Sequence, residues 1–183
     1  MQTFLPYKSF EQSLDCLDKQ RLGKQRVEAS QILNCLNYRK TGDIYMIDKN
    51  GRKRRRGWID HKAVVMWVGY DSALIQYYNT CLRKFAERGG NNIKLQPIEE
   101  PAEIIYPHWL GDEEFHASHR SNLLRKSKES FEQRMIKIRE NPNSKINPME
   151  VIEWYAQFKW NEPADLPYIW PQGKDELCRS IAI

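Results

Sequence analysis

The sequence predicts a mainly α, compact single-domain helical bundle with a small basic β-hairpin insertion and an extended aromatic C-terminal segment. Three observations carry that prediction. Apolar residues recur at helical spacing through most of the chain, a strong hairpin signal occurs at Asn50-Gly51, and prolines interrupt the last aromatic stretch.

In chain order, Ser9 followed three residues later by Gln12 reads as a capping box that opens a short helix. Asp18 can cap a second, longer helix running to about Tyr38, with Leu22, Ala29, Leu33 and Leu36 as its apolar stripe. Ile44, Tyr45, Met46 and Ile47 lead into Asn50-Gly51, which favours a tight two-residue turn, and out into Arg52, Lys53, Arg54, Arg55 and Arg56. This is the pattern of a short basic hairpin projecting from a helical body. The chain turns helical again from about Lys62, and Asp71 is placed to cap a helix carrying Leu74, Tyr78, Cys81, Leu82 and Phe85 on one side, ended by Gly89-Gly90. Residues 91 to 110 read as loop. Asp112 then caps a helix with Phe115, His116, His119, Arg120, Leu123 and Leu124 that continues or restarts toward Arg139, and Asn141-Pro142 breaks it. A further amphipathic helix from about Pro148 to Trp160 precedes Leu166-Pro167-Tyr168-Ile169-Trp170-Pro171, whose prolines exclude helix.

The length of 183 residues suits one well-buried core and is short for two domains of typical size, so residues 1 to 183 are expected to form one domain. With 40% hydrophobic residues, six Trp and nine Tyr, the chain has ample material for a packed interior and is not a disordered tail. The formal charge of +5 favours polyanionic partners and equally serves solubility. Cys16, Cys35, Cys81 and Cys178 lie far apart without C-x-x-C spacing, so free thiols in a reducing, cytoplasmic setting are expected. No apolar run approaches the roughly 20 residues that span a bilayer, and Met1 to Tyr7 lack the features of a targeting segment, so the encoded N-terminus is expected to be the mature one.

Four groups of residues can carry chemistry. On the second helix Arg21, Lys24 and Glu28 share a face. A carboxylate in that basic setting stays ionised and can stabilise positive charge developing on a sugar as a base leaves; the same pattern fits a solvated face with an ordinary Lys24–Glu28 pair worth a few tenths of a kcal/mol. The Arg52 to Arg56 run can neutralise several phosphates, or it is a solvated basic loop. His116, His119 and Arg120, with His108 and Asp112 upstream, match no strong metal motif, which leaves phosphate or base contacts and structural hydrogen bonds. Gly23-Lys24 lacks the upstream glycine of a phosphate-binding loop, because Asp18 stands in its place. Trp58, Trp109, Tyr168 and Trp170 can stack on bases, although large aromatics more often fill a core.

Three stretches taken together resemble the pyrimidine dimer DNA glycosylase family, the endonuclease V type first known from a phage. They are Met1-Gln2-Thr3-Phe4-Leu5-Pro6-Tyr7, the helix from Leu17 to Glu28, and the run from Phe115 through His116, His119, Arg120 and Asn122 to Lys126. The three look closest to the bacterial branch, which shares the closing Asp165 to Pro171; the resemblance also takes in Met66-Trp67-x-x-Tyr70-Asp71 and Arg88-Gly89, whereas about 41–57 and about 134–152 look like insertions relative to the bacterial members.

The resemblance implies a small, mostly helical enzyme that cleaves the glycosidic bond of a damaged or modified pyrimidine and then nicks the strand as an abasic-site lyase. An N-terminal α-amine attacks the anomeric carbon, assisted by a glutamate that falls on Glu28 when counted from Leu22. An α-amine with a pKa near 8 is appreciably neutral at cellular pH, unlike a free Lys near 10. Gln2 is too large for normal methionine trimming, so the nucleophile implied here is the amine of Met1. Val27 stands where the family has arginine, with Arg26 one position earlier, and Arg21 stands where the phage enzyme has histidine. On this reading Arg21, Lys24, Arg26, Arg54, Arg55 and Arg56 hold phosphates, and His116, His119, Arg120, Asn122, Arg125 and Lys126 contact DNA from the other side of a groove. The partner is double-stranded DNA, with no metal or organic cofactor, no membrane and no obligatory protein partner, and the protein is expected to be a monomer. Two alternatives stay open: a monofunctional glycosylase in which Glu28 activates water, and a non-catalytic DNA-binding module on the same scaffold.

Overall fold

A computed structural model describes residues 2–141, 147 and 149–174. Helix outweighs strand by 51% to 4%, as the mainly α reading requires. The chain divides into two compact units: one holds the N-terminal residues to Phe4, Lys19–Leu110 and the segment from Trp170, the other Leu5–Asp18 and Gly111–Ile169.

The first unit is built on α2 (Lys19–Thr41), packed against α4 (Asp71–Glu87). The stripe that α2 buries is Leu22, Gln25, Ala29, Ile32, Cys35 and Leu36; Leu33 is only half-buried. Gly23 is a packing residue, since a Cβ there would lie 3.1 Å from the Phe85 ring of α4. Tyr77, Leu74 and Cys81 of α4 are fully buried, and burying a side chain of Leu size contributes about 1.5–3 kcal/mol. Asp71 is the first helical residue rather than the cap: Tyr70 occupies the cap position without a side-chain capping bond to the helix, and the Asp71 carboxylate pairs with Lys40 at 2.9 Å. The helix ends as the two glycines suggest. Gly89 is left-handed at φ 70°, its N–H reaches the Ala86 carbonyl at 2.9 Å, and the Gly90 N–H reaches that of Phe85 at 2.8 Å, which together form a Schellman cap.

Between these helices lie the hairpin β1 (Tyr45–Ile47) and β2 (Lys53–Arg55), and the short α3 (Lys62–Val65), capped by the His61 ring. Tyr45 pairs with Arg55 and Ile47 with Lys53. The turn is not the two-residue one expected at Asn50-Gly51. Asp48 Oδ1 accepts the N–H groups of Asn50 at 2.8 Å and Arg52 at 3.0 Å, which starts the turn two residues earlier and leaves Gly51 as a left-handed bulge at φ 75°. No atom lies within 4 Å of a Cβ placed on Gly51, so Gly51→Ala pays only for backbone conformation. It should weaken the hairpin locally by about 1 kcal/mol. Amide exchange in β1 should then quicken by about five-fold at unchanged global Tm; unchanged exchange would contradict this turn assignment.

The second unit contains α1 (Phe10–Asp15), α5 (Glu113–Glu140) and α6 (Glu150–Ala156). Ser9 caps α1 by accepting the Gln12 N–H, and Asp112 caps α5 by accepting those of Glu114 and Phe115. The α5 helix runs unbroken for 28 residues to Glu140. The last helix is shorter than its amphipathic pattern suggests: Lys159 adopts φ 49°, and the chain leaves helix after Ala156. Pro148, where that helix was expected to start, lies outside the described residues. After a turn at 164–165 the chain runs on to 169 as neither helix nor strand, and the backbone of this stretch finds partners on α5. Ser121 Oγ donates to the Pro163 carbonyl and accepts the Leu166 N–H at 3.0 Å, Asn122 Nδ2 donates to the Leu166 carbonyl at 3.0 Å, and Ser118 Oγ accepts the Ile169 N–H at 3.3 Å. Prolines prevent this stretch from forming its own ladder, so a row of small polar side chains on α5 supplies the bonds instead. Cys16, Cys35 and Cys81 are buried free thiols, and Cys178 lies outside the described residues.

Candidate active site

The candidate site of the first unit forms where the extended N-terminal residues lie along α2. Gln25, one turn before Glu28, projects into the apolar stripe and is 1% exposed. Its Oε1 accepts the Phe4 N–H at 2.8 Å and lies 2.7 Å from the Tyr77 hydroxyl; its Nε2 donates to the Gln2 carbonyl at 3.1 Å and to Glu28 Oε2 at 3.3 Å. The primary amide therefore uses its whole bonding capacity and behaves as a strand partner for residues 2 to 4. Thr3 is fully buried and accepts the Trp67 indole N–H at 3.1 Å, and Trp67 in turn packs T-shaped against the buried Trp109.

Glu28 is the outcome of this arrangement. Half-buried on α2, its Oε2 accepts the backbone N–H of Gln2 at 3.1 Å as well as the Gln25 amide. No Lys24–Glu28 ion pair occurs among the described residues. Lys24 is exposed one turn away and Arg21 is half-buried two turns away on the same face. Arg26 turns elsewhere: its guanidinium lies over the Phe85 ring at 4.1 Å and donates to Asn92 at 3.2 Å. Met1 lies outside the described residues.

The basic hairpin is less free than its sequence suggests. Arg54 pairs with Asp48 at 2.8 Å, Arg55 grips Asp60 with two bonds of 2.5 and 2.8 Å, and Arg56 pairs with Asp43 at 2.5 Å while lying over the Tyr38 ring. The hydrogen bond from Arg55 holds the Asp60 carboxyl below its ordinary range. Such exposed pairs are weak and exchange readily for phosphate. Around the turn, six cations still face two carboxylates between Thr41 and Gly57.

In the second unit four of the six α5 residues expected to contact DNA make their bonds within the protein. His116, His119, Arg120 and Asn122 are buried and already engaged by protein. His116 Nδ1 donates to the Leu5 carbonyl at 2.7 Å and its Nε2 accepts the Gly111 N–H at 3.0 Å, while His119 Nδ1 accepts the Leu5 N–H at 3.1 Å. Both rings are therefore neutral and their basic nitrogens are occupied, which also removes them as metal ligands. Among the described residues no group of three or more potential ligands converges. Arg120 donates to Glu113, Glu162 and the Pro6 carbonyl, and Asn122 holds the extended tail. Arg125 and Lys126 are half-exposed; Arg125 donates to Asn122 Oδ1 at 2.5 Å.

Burial pushes His119 down to about 3, and it lowers His116 in the same direction. A histidine that stays neutral in the fold but protonates near 6.5 when unfolded supports stability fully above that pH. The support is lost as pH falls from about 6.5 toward 3, by up to about 1.4 kcal/mol per unit. Urea midpoints should therefore drop between pH 7 and 5, and His119→Gln, which can still accept the Leu5 N–H, should flatten that slope. An equal slope in the variant would contradict the assignment.

A family model for pyrimidine dimer DNA glycosylase matches residues 1–96, more than half of the chain. The chain belongs to that family. It is thus a DNA-repair enzyme by descent, and the matched stretch contains Gln2, Gln25, Glu28, the hairpin and α4, whereas α5, α6 and the aromatic segment fall outside it. No curated protein and no solved structure matches the chain. Gln25 is the residue that the sequence reading passed over, and its signal was present: a polar side chain stands at the stripe position between Leu22 and Ala29.

Proposed function

We propose that this glycosylase excises a damaged or modified pyrimidine from double-stranded DNA by covalent amine catalysis, with Met1 as nucleophile and Glu28 as its partner, and then nicks the abasic strand. The observation that carries this reading is the 3.1 Å bond from the Gln2 N–H to Glu28, because the α-amine of a preceding Met1 is three covalent bonds from that nitrogen. In the proposed step the neutral amine forms a bond to C1′ of the deoxyribose as the glycosidic C–N bond breaks. The electron pair leaves with the base, which takes up a proton. Glu28 stabilises the cationic sugar, and opening of the ring gives a protonated Schiff base. Removal of a C2′ proton by Glu28 then expels the 3′ phosphate. Lys24 and Arg21, on the same helix face, and the hairpin arginines supply phosphate contacts.

Borohydride added during reaction with a lesion-bearing duplex, in the presence of chelator, should trap a covalent protein–DNA adduct. Base release without adduct or nicking would instead support a monofunctional enzyme using water activated by Glu28. Absence of both on damaged and modified duplexes would leave a DNA-binding module.

A second reading has one specific observation in its favour. If Met1 were removed, the Gln2 nitrogen that bonds Glu28 would itself be the α-amine, already 3.1 Å from the carboxylate. An N-terminal glutamine, however, loses its amine by cyclising onto its own side chain, which favours a retained Met1. The intact mass of the purified protein separates the two.

A further inference from the structure

The family activity leaves unused one exposed aromatic cluster in the first unit. Of the six tryptophans Trp58 alone is exposed, at 57%, and it sits in left-handed backbone at φ 68°, a conformation that bulky side chains rarely adopt. A packed core does not account for that strain, since the ring faces solvent. The surroundings are nevertheless ordered. The His61 N–H closes the turn onto the Trp58 carbonyl at 2.9 Å, and the His61 ring meets Trp58 in a T-shaped contact at 5.0 Å. On its other side His61 contacts Trp170 at 5.8 Å, and its Nδ1 is fixed by the Ala63 N–H. Burial keeps His61 below its ordinary pKa, so the buttress is uncharged near neutral pH.

Cations lead into this residue along the chain. Arg55 and Arg56 precede it by three and two residues and are oriented by Asp60 and Asp43, while Arg54, paired with Asp48, still has a side chain 62% exposed. An exposed aromatic residue that directly follows an arginine-rich hairpin in the chain suits an unpaired nucleobase and its phosphates rather than an apolar protein surface. We propose that Trp58, buttressed by His61 and Trp170, is a stacking platform for a nucleobase displaced from the duplex, with the hairpin arginines holding the adjoining phosphates. This rests on the enzyme acting on double-stranded DNA, and it names a contact that would help distort that DNA.

The test compares binding of a fully paired duplex with that of the same duplex carrying one bulged nucleotide, by fluorescence anisotropy, for the full-length parent, Trp58→Asn and Trp58→Phe. The parent should prefer the bulged duplex by about ten-fold; Trp58→Asn should lose that preference and Trp58→Phe keep most of it. Because asparagine tolerates left-handed backbone, the Tm of Trp58→Asn should be unchanged or higher. A preference that survives Trp58→Asn, or a Tm that falls sharply because the ring is structural, overturns the proposal. A parent that binds both duplexes without preference does so as well, whereas a parent that binds neither removes the DNA-acting reading underneath it.

Discussion

Glu28→Gln should lower single-turnover base release by about 10³-fold while leaving DNA affinity unchanged or improved. The substitution is nearly isosteric, and the amide oxygen can still accept the Gln2 N–H, so residues 2 to 4 keep their place on α2. What disappears is the negative charge that would stabilise a cationic sugar and the base that would move its C2′ proton. Parallel anisotropy and base-release assays read the two quantities separately. Turnover that survives in the variant would take Glu28 out of the chemistry, and a parallel loss of binding would make it a structural residue.

Gln25→Leu should be nearly as damaging, through position instead of charge. Leucine fits the apolar stripe but leaves the Phe4 N–H and Gln2 carbonyl without their partner and strips the Tyr77 hydroxyl of its shorter contact. Orphaned buried groups of this kind cost about 1–3 kcal/mol each, so the urea midpoint should fall clearly. Because the same amide carries the N-terminal residues to Glu28, kcat/KM should fall by about 10²-fold even where the variant is fully folded, since displacement of reacting groups by an ångström is costly. Lost stability with intact kcat/KM would mean that the terminus needs no anchoring. In that event the contact between Gln2 and Glu28 has no catalytic meaning.

The helices were legible because their signals are local. Capping by Ser9 and Asp112, the glycine stop after α4 and the spacing of Leu22, Ala29 and Leu36 all act within a few residues, and the structure keeps each of them. The hairpin was legible in existence but not in turn type, since one carboxylate, Asp48, decided between two turns that both accommodate Asn50-Gly51. What could not be read was the destination of buried polar side chains. On α5 a run of His, Arg, Ser and Asn resembles a ligand-facing surface, yet those groups complete the bonding of Leu5, Pro6 and the proline-interrupted tail, a demand that exists only once distant segments meet. Gln25 is the converse case. Its place in an apolar stripe marked it as a buried polar group needing partners, while the identity of those partners, residues 2 and 4, depended on the fold. Glu28 was reached through family resemblance, and the structure adds the neighbour that resemblance alone does not supply, the amide of Gln2.

In the proposed mechanism the chain's terminal amine attacks the sugar beside Glu28. Proteolysis and mass spectrometry of a borohydride-reduced complex locate the attached deoxyribose directly. Attachment is expected at the α-amine of the first residue, on the peptide that contains Gln2 and Thr3. Attachment to a lysine such as Lys24, or base release with no attachment anywhere, would contradict it.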